Sequence, residues 1–237
     1  MTTDLPVVHL PPVVGRQGES WAALLELAPS LGAHWLLIGG QMVFLHEVER
    51  GVAETRPTDD VDVVVDVRVE PTGLNVIHEL LRSAGFDQSM PSADGVAHRY
   101  RRDGATIDVL APDNLGKRAS LALGSGRTIA APGGTQALSR GGAVVVHLDT
   151  ESATIRRPTL VGALLGKAAA VTQIVSQTNS ERAKHERDLD SLARMLGPND
   201  RASAALTKKE RSALTAVTKW PGLSPLARRA IDLLAQR

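Results

Sequence analysis

Two aspartates separated by one residue, Asp60 and Asp62, stand at the start of the alternating apolar segment VDVVVDVRV of residues 61–69. Alternation with period two is typical of a strand, in which side chains two positions apart project from the same face. Both carboxylates are therefore expected side by side, where they repel unless a cation lies between them. Carboxylates acting with substrate phosphates are the usual protein ligands of Mg²⁺. The pair predicts a magnesium site; the alternative is two solvated acids at a strand edge, with Asp66 continuing the pattern.

A third candidate ligand is Asp108, which lies alone among apolar residues in the segment ATIDVL of residues 105–110. If this predicted strand neighbours the first one, its carboxylate joins Asp60 and Asp62. Three acids on adjacent strands can hold two metal ions, which clamp the attacking and leaving oxygens of a phosphoryl displacement. Because the sequence does not state the order of the strands, the expectation depends on that pairing.

The glycine pair Gly39-Gly40 separates the apolar run of residues 34–38 from a helical pattern at residues 41–50. Glycine lets the backbone approach a ligand closely, and the free amides at the start of a helix favour phosphate. A plain tight turn is the alternative. On its own the pair is more typical of that turn.

The glycine pair, the helix after it and the segment RPTDDVD of residues 56–62 together resemble the polymerase-beta-type nucleotidyltransferase superfamily. The Arg-x-Thr-x-Asp-x-Asp form is similar to the AbiEii-type branch, which includes the MenT toxins of mycobacterial toxin–antitoxin systems. The resemblance covers roughly residues 36–196. In that branch a lysine on a later helix, and an aspartate in the helix after it, complete the site. This implies roles for Lys167 in LVGALLGKAAAV and for Asp188 in KHERDLDSL.

The surroundings of Lys167 support its role independently, because Leu160 and Val171 share its stripe on a predicted helix. A lysine in the middle of an apolar face needs an anion as partner, and a nucleoside triphosphate can be that anion. The alternative is a lysine whose ammonium reaches the edge of the face. For Asp188 the alternative is an i,i+4 ion pair with Lys184.

The resemblance implies an enzyme that moves a nucleoside monophosphate from an NTP to an acceptor. Its implied metal ligands for Mg²⁺ are Asp60, Asp62 and Asp108, and Asp108 is also a candidate general base for the incoming hydroxyl. Lys167 is expected to neutralise the charge that develops on the phosphates, and Asp188 completes the catalytic set.

Four residues are candidates for binding the nucleotide. Gly39 and Gly40 are expected to cradle the triphosphate, while Thr58 either contacts the nucleotide or caps the turn. Arg56 pairs either with phosphate or with the carboxylates. Gln41 follows the glycines where a serine or threonine is common, so Thr58 is the candidate for a hydroxyl contact.

The resemblance also implies the 3′ end of a tRNA as acceptor, a block to aminoacylation, and a cognate antitoxin protein as a possible partner. Basic residues of the second half, among them Lys208, Lys209 and Arg211, are suited to such a polyanion. The alternatives are a small-molecule adenylyltransferase of the aminoglycoside type, a protein modifier, or a regulator without catalysis on the same fold.

The elements that position these residues change in character along the chain. Strand and helix patterns alternate in residues 1–155, and helical patterns follow in residues 156–237. This predicts a mixed α/β (α+β) fold, with a nucleotidyltransferase-type sheet domain at 1–155 and a helical domain at 156–237 that completes the site. The first part holds 12 Lys and Arg against 19 Asp and Glu, a net charge of −7, and the second holds 15 against 7, a net charge of +8.

Composition excludes several other classes of protein. Hydrophobic residues make up 43% and charged residues 22% of the 237, which is ordinary for a globular protein. The absence of cysteine removes disulfides, thiolate metal sites and cysteine nucleophiles. The chain shows neither a signal-peptide pattern at its start nor an apolar stretch of membrane-spanning length. We therefore expect a cytoplasmic protein without a membrane partner.

Overall fold

The computed structural model describes residues 5–52, 57–116, 119–173 and 179–236. Within these residues the chain has a mixed α/β architecture (α+β), with helices making up most of its last third, which confirms the predicted fold class. Nine α-helices are described: α1 Gly15–Leu27, α2 Gly39–Glu49, α3 Gly73–Ser83, α4 Gly134–Ser139, α5 Leu160–Gln173, α6 Asn179–Arg194, α7 Pro198–Ala202, α8 Lys208–Val217 and α9 Pro225–Ala235.

The strands form a main sheet and two smaller sheets. Eleven strands are described: β1 Val7–His9, β2 Trp35–Ile38, β3 Asp60–Val65, β4 Asp87–Gln88, β5 Arg99–Arg102, β6 Ala105–Pro112, β7 Ala122–Leu123, β8 Gly126–Arg127, β9 Ala130–Ala131, β10 Gly141–Leu148 and β11 Glu151–Pro158. The main sheet has the order β2-β3-β6-β5-β4, with β9 pairing with β6. A second sheet has the order β1-β10-β11, and β7 pairs with β8.

The centre of the main sheet carries the predicted acidic strands as neighbours. β3 and β6 are parallel, and Asp62 lies in register with Asp108. The valines of β3 are buried, as are the apolar residues beside Asp108 in β6. The pairing that the sequence left open therefore brings the carboxylates together, and apolar packing fixes the two strands at this register.

The strand pattern continues further along the chain than the sequence predicts. β11 runs to Pro158 and pairs with β10 in antiparallel register, so strand gives way to helix after residue 158 rather than near 155. Ala153 and Ile155 are buried on one face of β11, whereas Ser152 and Thr154, which alternate with them, are exposed. This is the alternation of a half-buried strand. The division of the chain into two domains stays a prediction.

The predicted strand of residues 61–69 is shorter than its pattern suggests. β3 ends at Val65, and Asp66 lies in the turn that follows, where it forms an ion pair of 2.8 Å with Arg68. Asp66 therefore does not continue the acidic row of Asp60 and Asp62. The local pairing of Asp66 with Arg68 competes with an extended strand.

Helices pack against the main sheet and against one another. α1 and α2 pack on β3, and α5 contacts α4, α6 and α8. One core cluster extends from Trp21 of α1 to Leu234 of α9. Two later helices have ordinary caps, since Thr207 accepts from the Glu210 amide at the start of α8 and Ser224 accepts from the Ala227 amide at the start of α9. Among the described residues, no helix combines the length and apolar character that crossing a bilayer requires.

Candidate metal and nucleotide site

The three predicted carboxylates converge at one end of the paired strands β3 and β6. One oxygen from each of Asp60, Asp62 and Asp108 lies within 4.8 Å of the others. Asp108 is buried, and Asp60 and Asp62 are partly exposed. The i,i+2 spacing places Asp60 and Asp62 on one face, and the register places Asp108 beside Asp62. The cluster can hold a metal ion.

A guanidinium that the sequence analysis did not single out lies against this triad. Arg99 of β5 stands opposite Asp108 in the antiparallel register. Its Nε donates to Asp108 Oδ1 at 2.8 Å and its Nη2 donates to Asp108 Oδ2 at 2.6 Å. Nη2 also lies 3.4 Å from Asp60 Oδ2. The hydrogen bonds to Asp108 raise the pKa of Arg99 above its ordinary value, with the charges of Asp60 and Asp62 adding to the effect.

A polar scaffold behind the triad fixes the segment that leads into β3. The Gln41 side chain is buried, accepts from Trp21 Nε1 at 2.6 Å and donates to the Thr58 carbonyl at 2.6 Å. The Thr58 hydroxyl donates to Asp60 Oδ1 at 3.1 Å. Ser20 donates to the Asp59 carbonyl at 2.6 Å. From inside the core, Gln41 therefore positions the segment that leads into β3.

Gly39 begins α2 directly beside Asp62, and two observations require glycine there. Its φ is +73°, in the left-handed region that other residues rarely adopt. A Cβ at this position would lie 1.8 Å from Asp62 Oδ2. The backbone at the start of α2 thus approaches the carboxylate more closely than any side chain permits. Gly40 is buried in the first turn of the same helix.

Asp62 has the most perturbed ionisation of the triad. Burial, together with the negative charges of Asp60 and Asp108, raises its pKa to about 8, although Lys167 and Arg99 oppose the shift. A carboxylate in this situation is stabilised in its charged form by a cation placed beside it. The Asp62 environment therefore fits a bound divalent metal.

Lys167 and Asp188 form a buried ion pair between α5 and α6. Lys167 Nζ donates to Asp188 Oδ2 at 2.7 Å, and both side chains are less than one tenth exposed. The anion that the apolar surroundings of Lys167 demand is thus supplied at least in part by Asp188. Lys184, the alternative partner for Asp188, is exposed. Asp190 faces elsewhere and accepts from the Ser224 amide at 2.6 Å.

A cavity of about 190 Å³ connects these two parts of the site. Gly39, Asp62, Lys167 and His185 contribute to its wall. Most of the remaining lining is small or apolar and comes from residues 129–134 and from α5. Asp62 of the triad, the start of α2 and the lysine therefore border one space of a size suited to part of a small ligand.

The structure brings seven of the nine predicted residues into two groups: Gly39, Thr58, Asp60, Asp62 and Asp108 at the triad, and Lys167 with Asp188 between α5 and α6. Of these, Gly39, Asp62 and Lys167 line the cavity. Gly40 is buried behind Gly39 in α2, and Arg56 lies outside the described residues.

The residues that sequence reasoning missed are Arg99, Gln41 and His185. Arg99 and His185 had no signal of spacing, because each reaches the site only through strand register or helix packing. Gln41 did carry a signal, since it is the polar residue directly after the glycine pair.

Comparisons of the chain with protein-family models, with curated proteins and with solved structures found no match. The resemblance to the AbiEii-type branch therefore remains an expectation drawn from the sequence.

Proposed function

We propose that the chain is a Mg²⁺-dependent nucleotidyltransferase that moves a nucleoside monophosphate from an NTP to an acceptor hydroxyl. The observation that carries the proposal is the convergence of Asp60, Asp62 and Asp108 within 4.8 Å, beside the glycine start of α2 and a cavity that Lys167 also lines. Carboxylates and phosphate oxygens together are how proteins hold Mg²⁺. Enzymes that transfer phosphoryl or nucleotidyl groups use such a set of carboxylates, metal ion and phosphate oxygens.

Asp60 and Asp62 are the residues that would hold the ion, since they share one face of β3 and Asp62 also lines the cavity. When bound, Mg²⁺ neutralises phosphate charge and orients the triphosphate. Gly39 at the start of α2 lines the same space. The first amides of a helix favour phosphate oxygens, since they have no partner within the helix. Thr58 holds the Asp60 carboxylate in place through its hydroxyl.

In the proposed reaction the acceptor oxygen attacks the α-phosphorus of the NTP. The bond from that phosphorus to the oxygen bridging to the β-phosphate breaks, and pyrophosphate leaves with the electron pair. The hydroxyl proton passes to water or to a carboxylate of the site. Lys167 lines the same cavity as Asp62, and its charge is suited to stabilise the departing pyrophosphate. Asp188 accepts a hydrogen bond from Lys167 Nζ and so orients the ammonium group.

RNA is the acceptor that the charge distribution supports best, with the 3′ end of tRNA as the specific proposal. The net charge of residues 156–237 is +8, and Lys208, Arg211 and Lys219 line one open groove along α8. A polyanion gains affinity on such a surface through release of counterions. Modification of the tRNA 3′ end would block aminoacylation, so we propose that the protein acts as a growth-arresting toxin, for which a cognate antitoxin is the expected partner.

The experiment that tests this function measures pyrophosphate release with each of the four NTPs and three acceptors. The acceptors are total tRNA, an aminoglycoside mixture and an unrelated protein extract, each with Mg²⁺ or with EDTA. Release that requires Mg²⁺ and tRNA supports the proposal. Release with aminoglycosides or protein alone would identify the small-molecule or protein modifier instead. Absence of release with every combination would favour a regulator without catalysis.

A further inference from the structure

Arg99 has an arrangement that the proposed chemistry does not by itself require. Its guanidinium binds both oxygens of Asp108 in a fork and also reaches Asp60. Such bidentate pairs of arginine and carboxylate are among the strongest hydrogen-bonded contacts in proteins. Asp108 is only 6% exposed, so water competes weakly for its oxygens. Any metal ion that used Asp108 as a ligand would compete with this fork for the lone pairs of its two oxygens.

The charges in the cluster balance with one divalent ion rather than two. Three carboxylates carry a formal charge of −3 when ionised, and Arg99 adds +1, which leaves −2 for a metal ion to compensate. In the absence of nucleotide, a second divalent ion would leave an excess of positive charge on these four groups, and at Asp108 it would stand close to the guanidinium. Repulsion between two such cations in a partly buried site is several times stronger than in water.

Resting on the proposed nucleotidyl transfer, we propose that Arg99 takes the place of the second metal ion, so that this centre binds one divalent cation at Asp60 and Asp62. In this arrangement Asp108 is the anchor of Arg99 and not a metal ligand or general base. About a third of the Arg99 side chain is exposed, so a ligand bound beside the triad has access to part of it. Its N–H groups there can meet an oxygen of the acceptor or of the α-phosphate, which makes Arg99 a positioning residue for the transfer.

The test counts Mn²⁺ ions bound per chain, because Mn²⁺ occupies magnesium sites and its free form gives a distinct electron paramagnetic resonance signal. The full-length protein is dialysed against Mn²⁺ and an equimolar mixture of the four α,β-methylene NTP analogues, with the protein-free chamber as reference. The proposal predicts one ion for the wild type. For Arg99→Gln it predicts two ions, since Asp108 and the full negative charge become available to a metal.

Two matched variants separate the role of Arg99 from a general change in charge. Arg101→Gln removes the same charge from the same strand, but Arg101 lies opposite Thr106, so we expect one ion. Arg99→Gln combined with Asp108→Asn removes both partners of the fork and keeps the net charge. It is expected to bind one ion with an affinity within about threefold of the wild type. The double variant leaves no uncompensated carboxylate at this position. If Arg99→Gln fails to fold in a circular dichroism melt, the double variant still shows whether Asp108 is a metal ligand.

The outcomes that overturn the proposal are specific. Two ions in the wild type would mean that Arg99 yields to a second metal, and one ion in a folded Arg99→Gln would mean that Arg99 excludes nothing. Loss of Mn²⁺ from the double variant would show that Asp108 is itself a ligand. Each of these leaves nucleotidyl transfer intact. No bound ion in the wild type would instead overturn the metal centre of the proposed function.

Discussion

At the scale of single residues, Asp62 is the carboxylate whose ionisation depends most on what binds beside it. Its pKa of about 8 reflects burial and the negative charges of Asp60 and Asp108. In the metal-free protein Asp62 is therefore mostly protonated at neutral pH, and it must lose that proton before it can bind a cation. Metal binding and proton release are coupled at this one side chain.

The coupling predicts how the stability of the metal-free protein changes with pH. The pKa of Asp62 is about 8 in the folded chain and about 4 in an unfolded one. Between these values the folded state binds more protons, so its stability falls as pH rises and the contribution is lost above about pH 8. We expect the Tm in EDTA to fall by several degrees more from pH 5 to pH 8 in the wild type than in Asp62→Asn. An equal fall in Tm from pH 5 to pH 8 in the two proteins would contradict this prediction.

Gly39 gives a second prediction at this scale, with Gly32 as its control. Both have positive φ, of +73° and +69°, but a Cβ at Gly39 would collide with Asp62, whereas at Gly32 it would meet nothing within 4 Å. Gly32→Ala is expected to cost only the backbone strain of about 1 kcal/mol. Gly39→Ala is expected to displace the carboxylate as well and to reduce transfer about 100-fold. Thermal melts of both variants measure the strain, pyrophosphate release measures transfer, and Mn²⁺ titration measures the displacement of the carboxylate. Equal Mn²⁺ affinities of Gly32→Ala and Gly39→Ala would refute the prediction.

Sequence predicts the residues of the triad but not their neighbour Arg99, for a physical reason. Asp60 and Asp62 are two positions apart, and period-two spacing fixes their common face without any knowledge of the fold. Arg99 reaches Asp108 only because β5 and β6 pair at one particular register. A tripeptide of basic and aromatic residues at 99–101 carries no mark of that register.

At the scale of elements, α5 and α6 are joined by the buried pair of Lys167 and Asp188. Removing one partner of such a pair leaves a buried charge uncompensated, which costs about 3–5 kcal/mol, while replacing both by apolar residues is often neutral. The pair therefore has a structural role that can be separated by experiment from its proposed role in chemistry.

We expect Lys167→Met to lower the free energy of unfolding by about 3 kcal/mol or more. Adding Asp188→Leu is expected to recover most of that loss, since both charges are then absent. Transfer activity should be lost in both variants if Lys167 neutralises phosphate. Urea titrations and pyrophosphate release on the same preparations measure the two effects. Recovery of activity together with stability would show that Lys167 is structural only.

The elements themselves were predicted with uneven success, and the failures have local causes. The start of α8 is marked in the sequence, because Thr207 and Glu210 form a capping box there. β11 was missed because the pattern of residues 151–158 contains charged and small residues on its exposed face, and its partner β10 decides the strand. α4 lies in a glycine-rich stretch whose six-residue helix has too few turns to show periodicity.

At the scale of the whole molecule, opposite charges are divided between the two parts of the chain, −7 in residues 1–155 and +8 in residues 156–237. The division suits a protein whose first part gathers a cation around carboxylates and whose basic helices bind a polyanion. Lys208 and Lys219 are both exposed on the groove along α8.

Charge reversal on that groove should weaken RNA binding without affecting the metal centre. We expect Lys208→Glu with Lys219→Glu to raise the Kd for total tRNA at least about tenfold. The slope of log K against log salt should flatten by about 1 to 2, because each lost phosphate contact removes roughly 0.7–0.9. Arg16→Glu with Arg82→Glu, which changes the same charge on the acidic part, is the control. Filter binding at several salt concentrations measures both the Kd and the slope. An unchanged slope in the Lys208→Glu, Lys219→Glu variant would mean that RNA binds to another surface.

The most direct test of the central claim compares NTPs labelled at the α-phosphate with NTPs labelled at the γ-phosphate, incubated with Mg²⁺ and total tRNA. A nucleotidyltransferase transfers the α-label to RNA and releases the γ-label as pyrophosphate. The account predicts this pattern for the wild type and for Asp66→Asn, whose carboxylate pairs with Arg68 outside the triad, and its loss in Asp62→Asn. Transfer of the γ-label, or α-label transfer that persists in Asp62→Asn, would contradict it.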